Sequence, residues 1–136
     1  MISKKSKYAL KALGYLAGRY GQGPVVIAEI SADRKIPLKF LESILLLLKK
    51  SNILHSRKGK GGGYILARAP KKITIAEVLR VIDGPIAPLS CVSINFYQRC
   101  PDCHEKTCQV KKIMAATRDA TLGVLEKRTV QDLSGD

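Results

Sequence analysis

The first 20 residues place apolar side chains among charged ones with a period that predicts an amphipathic helix. Ser3 provides an N-cap, and the helix is expected to continue to about Gly18. The apolar residues Ala9, Leu13, Leu16 and Tyr20 recur at helical spacing. Lys11 interrupts what would otherwise resemble the apolar stretch of a signal peptide, so we expect this segment to be retained and the protein to be cytoplasmic.

Two further helical patterns follow. Residues 27–35 predict a short supporting helix, and Pro37 suits the first turn of a longer helix over residues 37–50. The inward face of this longer helix follows the i, i+3, i+4, i+7 rule at Leu41, Ile44, Leu45 and Leu48. Leu46 and Leu47 add apolar surface, so the helix is expected to be covered on more than one side.

Residues 51–68 change to the alternating pattern of two short strands around a glycine-rich tip. Beyond them, Thr74 and Glu77 have the spacing of a capping box, which predicts the start of another helix. Gly84 and Pro85 are expected to end that helix. The pattern thus predicts three helices, a β-hairpin and a fourth helix in that order.

Residues 91–108 follow neither period and contain all four cysteines of the chain. A helical pattern resumes near Thr107 and continues for about 20 residues, or about 30 Å. Its less polar side is formed by Val110, Ile113, Met114, Thr117, Thr121, Val124 and Leu125. The length favours packing against a second copy of the chain over a lone helix folded back on its own core.

The formal charge of +13 is distributed unevenly along the 136 residues. Residues 1–72 carry 16 Lys and Arg against three Asp and Glu, whereas residues 73–136 carry eight of each kind. Repulsion among these cations favours a polyanionic partner, with nucleic acid as the first candidate and an anionic membrane surface as the second. The longest apolar run, Ile44–Leu48, is too short to span a bilayer. Nucleic acid is therefore the expected partner, and no membrane partner is expected.

The stretch "RKGKGGGYILAR" has the lysines and glycines of a phosphate-binding loop. Nucleotide-binding loops lead into a helix or belong to a parallel βαβ unit, however, and here the glycines lead into a strand. A glycine-tipped hairpin that follows two helices is instead typical of the wing of a winged helix-turn-helix. The DNA-contacting residues of this wing are predicted to be Arg57, Lys58, Lys60, Gly61 and Gly62.

The helix over residues 37–50 is then the recognition helix, which enters the major groove of DNA. Near its N-terminal end, the predicted DNA-contacting residues are Lys39, Phe40, Glu42 and Ser43. Glu42 can accept a hydrogen bond from a cytosine amino group, or alternatively pair with a lysine on its own helix. Lys4 and Lys5 oppose the dipole of the first helix, and phosphate near that end would relieve the cost.

These elements resemble the Rrf family of bacterial winged-helix transcriptional regulators, which includes iron–sulfur, nitric-oxide and cysteine regulators. The resemblance covers essentially the whole chain. It is carried by "KYALKAL", "FLESIL", "RKGKGGGYILAR" and "ITIAEVLRVIDGP", followed by a cysteine loop and a long helix. In the family, the wing position that matches Lys58 enters the minor groove.

The resemblance implies a mainly α fold with a small β-hairpin. It implies a winged helix-turn-helix domain at 1–84, a cysteine-bearing sensor loop at 85–108, and a dimerisation helix and tail at 109–136. The expected function is that of a homodimeric regulator, with repression as the expected mode, that binds double-stranded DNA and senses iron–sulfur, redox or nitrosative status. Neither enzymatic activity nor a small-molecule substrate is expected.

The cysteines have the spacing C-x8-C-x2-C-x4-C. The resemblance matches the three cysteines of cluster-bearing members to Cys91, Cys100 and Cys108. Lys111 and Lys7 occupy the positions of the family's familiar fourth ligands, and a protonated lysine is a poor ligand. The residues that could replace them are Cys103, which is the simplest choice, His104 and Glu105.

Four thiolates suit an iron–sulfur cluster, which we expect first. They also suit structural zinc, or a metal-free thiol switch that uses the Cys100–Cys103 pair. A rival interpretation is an iron–sulfur electron carrier whose basic half docks an acidic partner. The absence of a nucleophile–base arrangement in the sequence counts against an enzyme. A non-specific nucleoid protein would have no need of four clustered cysteines.

Overall fold

The computed structural model describes residues 2–135. Its helices and strands are α1 (Lys4–Gly18), α2 (Ile27–Arg34), α3 (Leu38–Lys50), β1 (Leu54–Arg57), β2 (Gly63–Leu66), α4 (Ile75–Asp83) and α5 (Gln109–Leu125). Short 3-10 turns occur at Pro70–Lys72, Ser90–Val92 and Val130–Leu133. The predicted mainly α fold with one β-hairpin is confirmed. None of the helices within residues 2–135 is long and apolar enough to cross a membrane.

Helix α1 begins where the sequence predicts, because the Ser3 hydroxyl accepts a hydrogen bond from the Ser6 amide at 3.0 Å. Its inward face contains Ala9, Leu13 and Leu16, which are all buried. Tyr20, which continues the same spacing, is half exposed. The helix ends at Gly18, so its period no longer determines where Tyr20 points.

Helix α3 supplies the centre of the core. The predicted stripe is confirmed, because no part of its four side chains is accessible to solvent: Leu41, Ile44, Leu45 and Leu48. Pro37 is the N-cap residue and lies just before the first helical turn rather than within it. The prediction that this helix is covered on more than one side was wrong at Leu46, which is half exposed because it falls outside the stripe.

The two strands form an antiparallel hairpin in which Leu54 is opposite Leu66 and Arg57 is opposite Gly63. Val25, from the segment between α1 and α2, extends this sheet through hydrogen bonds of 2.9 and 2.8 Å with the backbone of Tyr64. Glycine is required at position 63, where an added Cβ would lie 2.4 Å from the Val25 carbonyl oxygen. The hairpin is therefore fixed to the helical domain at its base.

Helix α4 begins at the predicted cap, but the capping box is only half formed. The Thr74 hydroxyl accepts a hydrogen bond from the Glu77 amide at 3.1 Å. The Glu77 carboxylate does not return to the cap, because it forms an ion pair with Arg68 at the end of the hairpin. The helix ends at Gly84, which has a positive φ of 85°, as its position in the sequence predicts.

After α5 the chain returns to the core that α1 and α3 form. Val130 donates its amide to the Ile73 carbonyl at 2.9 Å, and its side chain is fully buried in the core. Leu133 then lies on α1 at Gly14, where an added Cβ would be 2.8 Å from the Leu133 carbonyl oxygen. The tail, which the sequence placed with the dimerisation helix, thus packs into the core that α1 and α3 form.

This packing predicts that Gly14→Ala destabilises the protein. Alanine inside a helix usually gains about 0.5–1 kcal/mol over glycine, but here the new methyl group would collide with the backbone of the tail. We expect a net loss of about 1–2 kcal/mol in the free energy of unfolding, measured by urea denaturation. The control is Gly18→Ala at the end of the same helix, where a Cβ meets nothing within 4 Å. An equal gain in stability for both variants would contradict the packing of the tail on α1.

Candidate DNA-binding surface and cysteine segment

The N-terminal end of α3 presents the predicted DNA-contacting residues to solvent. Lys39, Phe40, Glu42 and Ser43 are all exposed. The Ser43 hydroxyl donates a hydrogen bond to the Phe40 carbonyl at 2.9 Å, which orients it along the helix. Within residues 2–135, Glu42 forms no salt bridge, so the alternative pairing with a lysine of its own helix is not observed. Its carboxylate is available to accept hydrogen bonds from a partner.

An aromatic contact joins the starts of α1 and α3. The rings of Tyr8 and Phe40 meet edge to face, with centroids 5.5 Å apart and an interplanar angle of 82°. The Lys4 ammonium lies 5.6 Å from the centre of the Tyr8 ring. The predicted contacts Lys4 and Phe40 therefore belong to one surface, with the neighbouring Lys5 half buried. Tyr8 was not among the predicted contacts, because its only signal in the sequence is its i+4 spacing from Lys4.

The wing exposes the cations predicted for it: Arg57, Lys58 and Lys60. The geometry of the hairpin turn itself also requires glycine, in addition to the predicted close approach to a DNA groove. The Gly62 amide donates to the Gly59 carbonyl at 3.0 Å, and a Cβ on Gly62 would lie 2.2 Å from the Arg57 carbonyl oxygen. Gly61, next to it, is exposed at the tip. The turn is therefore too tight for a side chain at position 62.

Asp83, the last residue of α4, fixes the beginning of α1. Its carboxylate accepts hydrogen bonds from the Ser3 amide (3.1 Å), the Ser3 hydroxyl (2.5 Å) and the Ser6 hydroxyl (2.7 Å). Partial burial opposes the charged form of Asp83, but these hydrogen bonds together outweigh it and lower its pKa. The helix end that carries Lys4 and Lys5 is thus held by the residue that precedes the cysteine segment.

The cysteine segment, residues 85–108, contains four free thiols, all partly buried. The Cys108 sulfur is the N-cap of α5 and accepts a hydrogen bond from the Lys111 amide at 3.4 Å. Hydrogen bonding with Cys100, partial desolvation and the neighbouring Cys108 raise the pKa of Cys103 to about 12. The Cys103 thiol therefore lies near both Cys100 and Cys108.

The Lys111 side chain of α5 forms an ion pair with Glu105 of this segment. Its ammonium lies 3.0 Å from Glu105 Oε2 and 5.8 Å from the centre of the Tyr97 ring, and the Tyr97 hydroxyl donates to the same carboxylate. The hydrogen bond with Glu105 raises the pKa of Lys111, which therefore stays protonated and cannot bind a metal. Glu105 is one of the substitute ligands predicted from the sequence. Its carboxylate accepts hydrogen bonds from Lys111 and Tyr97.

The four thiols are suitable metal ligands by chemical type, but their side chains are not arranged around a common point. Four cysteines, three of them neighbours, are the donor set that a cluster or zinc requires. Within residues 2–135, however, no three side chains of the ligand types converge on a common point. Cys91 lies in the turn Ser90–Val92, which Arg118 of α5 holds by donating to the Val92 carbonyl at 2.7 Å. Gathering all four thiols around a metal would require the segment to rearrange.

Helix α5 has two distinct apolar faces, which the sequence pattern had merged into one. Leu122 is buried against the rest of the chain, and the predicted Met114, Thr121 and Leu125 are partly buried on the same side. The face beside it is exposed and repeats every three or four residues. We define the α5 seam as Val110, Ile113, Thr117, Ala120 and Val124. The exposed fractions of its three larger side chains are 56%, 62% and 59% for Val110, Ile113 and Val124.

Comparisons with known proteins agree with this architecture. The sequence matches the family Rrf2, described as an iron-dependent transcriptional regulator, over residues 2–136. A Rhodobacter capsulatus protein named as an rrf2-like HTH-type transcriptional regulator is 43% identical, over 98% of this chain and 91% of its own length. The solved structure of CymR, the global cysteine regulator of B. subtilis, has a TM-score of 0.82 at 28% identity and covers 98% of this chain and 95% of that one.

A second solved structure, that of IscR from T. potens, has a TM-score of 0.79 at 26% identity and covers 98% of this chain and 85% of that one. These relatives are transcriptional regulators and not enzymes. The match to the family over nearly the whole sequence, together with the winged helix-turn-helix, shows that the chain belongs to the Rrf2 family of transcriptional regulators.

Proposed function

We propose that this chain is a cytoplasmic, homodimeric repressor that binds double-stranded DNA at specific sequences. The surface formed by Lys4, Tyr8 and Phe40, beside the unpaired carboxylate of Glu42, is the observation that carries the proposal. Its cations can bind phosphates, which gives affinity, and its carboxylate can bind base edges, which gives specificity. The concentration of the positive charge in residues 1–72 supports the same partner.

Each part of the winged helix has a distinct role in this proposal. The N-terminal end of α3 enters the major groove, where Glu42 accepts from a cytosine amino group and Lys39 donates to a guanine. The wing places Lys58 in or beside the minor groove, where the negative potential is strong. Lys4 and Lys5, fixed by Asp83, contact phosphates and set the register of the protein on the duplex.

The α5 seam is the proposed dimer contact. Its residues have the alternating spacing of three and four that packs one helix against another, as at the a and d positions of a heptad. Three large apolar side chains on this seam are more than half exposed in the single chain. A second copy would cover them, and two recognition helices would then face two half-sites.

We propose that the cysteine segment carries the signal. It lies between Asp83, which fixes the start of α1, and α5, which carries the seam, so a rearrangement here can alter both. An iron–sulfur cluster is the first candidate, held by Cys91, Cys100 and Cys108 with Cys103 as fourth ligand. A bound cluster would supply a group sensitive to oxidants and nitric oxide. Zinc in the same site, or the thiols alone, are the alternatives.

Lys58→Ala tests the DNA-binding proposal. Loss of one phosphate or minor-groove contact should weaken binding to the operator and make the slope of log K against log salt shallower by about 1. The matched control is Lys71→Ala, which removes an exposed lysine from the turn after the hairpin. Unchanged affinity of Lys58→Ala at every salt concentration, in a titration followed by fluorescence anisotropy, would show that the wing does not contact DNA.

Ile113→Asp tests the dimer. Dimer formation would bury a carboxylate in the middle of the seam without a hydrogen-bond or charge partner, which is unfavourable. We therefore expect a monomer by size exclusion with light scattering. Operator affinity should fall at least tenfold, because one recognition helix must then bind alone. Lys112→Asp places the same carboxylate on the neighbouring exposed position outside the seam and should remain dimeric. A dimeric Ile113→Asp variant would rule out this seam as the interface.

Purification without oxygen, followed by metal analysis and an absorption spectrum, tests the cofactor. The cluster proposal predicts iron and sulfide in equal amounts with visible absorbance. Both should be lost in Cys108→Ser, in which serine can still cap α5. Zinc without colour would favour the second candidate. Equal operator affinity of the metal-loaded and metal-free proteins would contradict a metal-based switch.

A further inference from the structure

A groove runs along the outer face of α1. Its floor is formed by α1 from Lys4 to Gly14, one wall by the end of α2 at residues 33–35, and the other wall by Leu133 of the returning tail. The cavity measures about 1030 Å³. We call these residues the α1 groove, and its Leu133 wall comes from the last turn of the chain, which packs back onto the first helix.

The α1 groove is strongly cationic. Five cations line it against a single acid: Lys4, Lys7, Lys11, Arg34 and Lys35 against Asp33. Asp33 lies 3.4 Å from Arg34 Nε but not in hydrogen-bonding alignment, so this buried nitrogen has no hydrogen-bond partner within residues 2–135. Concentrating cations in this way is unfavourable unless an anionic partner offsets the repulsion.

The fold fixes the guanidinium of one of these cations and the backbone of another. The Arg34 guanidinium lies 5.5 Å from the centre of the Tyr15 ring. Lys35 has a left-handed backbone with φ of 55°, and its amide donates to the Ser31 carbonyl, which ends α2. Arg34 is the last residue of α2, and Lys35 begins the turn that leads into α3. The Arg34 guanidinium and the backbone of Lys35 are therefore positioned relative to the recognition helix.

The α1 groove is continuous with the proposed DNA-contacting surface. Lys4 and Tyr8 line the groove, and Tyr8 also contacts Phe40 at the start of α3. Lys35 precedes Pro37, the N-cap of α3, by only two residues. A DNA strand that passes the start of α3 can thus continue into the groove.

We propose that the α1 groove binds the sugar–phosphate backbone of DNA flanking the half-site that α3 reads. Phosphates pair with the groove lysines and Arg34, while the apolar walls at Leu10 and Leu133 contact the deoxyribose. The contact lengthens the bound duplex beyond the bases that are read and adds affinity that does not depend on sequence. This inference rests on the proposed function, because it requires that the chain binds DNA.

The test compares two duplexes that contain the operator selected by the wild-type protein. One ends at the operator, and the other continues for about 10 bp on each side. Lys7→Gln/Lys11→Gln/Lys35→Gln removes three exposed groove charges. We expect the wild type to bind the longer duplex about tenfold more tightly. The variant should lose this difference and show a salt slope shallower by about 2–3 on the longer duplex, while binding the short duplex normally.

The matched control is Lys49→Gln/Lys50→Gln/Lys71→Gln, which removes the same charge from exposed lysines outside the groove and should keep the preference for the longer duplex. Equal wild-type affinity for both duplexes, or an unchanged preference in the groove variant, would overturn the groove proposal and leave the DNA-binding function intact. Equal weakening of both triple variants on both duplexes would also overturn it, because net charge alone would explain the result. Failure of the wild type to select or bind any operator would instead overturn the proposed function.

Discussion

The complete burial of one side of α3 determines how the rest of the molecule is arranged. Leu41, Ile44, Leu45 and Leu48 are inaccessible to solvent, and each such side chain contributes about 1.5–3 kcal/mol. Repulsion between exposed lysines is weaker, because salt screens it over about 8–10 Å. The apolar stripe can therefore hold a strongly cationic half together. It also forces the other side of α3 outward, with Glu42 and Lys39 at its N-terminal end.

Local periodicity predicted the helices and the hairpin because neighbouring residues determine them. Burial and contacts departed from the local pattern where a helix ended, where a position lay outside the buried stripe, or where a distant partner competed. Tyr20 continues the apolar spacing of α1 in the sequence, but the helix ends at Gly18 and the Tyr20 side chain is half exposed. Leu46 is apolar, yet it lies outside the buried stripe and is half exposed. The Glu77 carboxylate forms an ion pair with Arg68 instead of capping α4. In each case, composition alone could not show which contact the folded chain selects.

The exposed residue types of the candidate surface could be predicted, whereas the contacts that position them could not. Ser3 and Asp83 are 80 residues apart in sequence, and Gly14 meets Leu133 from the opposite end of the chain. Such pairs leave no periodic signal. The cysteine segment has no regular period at all, so the spacing of its thiols suggested a metal without determining whether they converge. The α1 groove likewise depends on the tail, which the sequence assigned to another part of the protein.

We propose that two copies of α3 read two half-sites on one duplex. Selection of bound sequences from a pool of random DNA duplexes is the decisive measurement. We expect an enriched inverted repeat whose half-sites are centred about one helical turn, or about 34 Å, apart. The Glu42→Ala variant should select the same repeat with one base position relaxed in each half. Enrichment of no sequence, or of a single motif without its inverted copy, would contradict the claim.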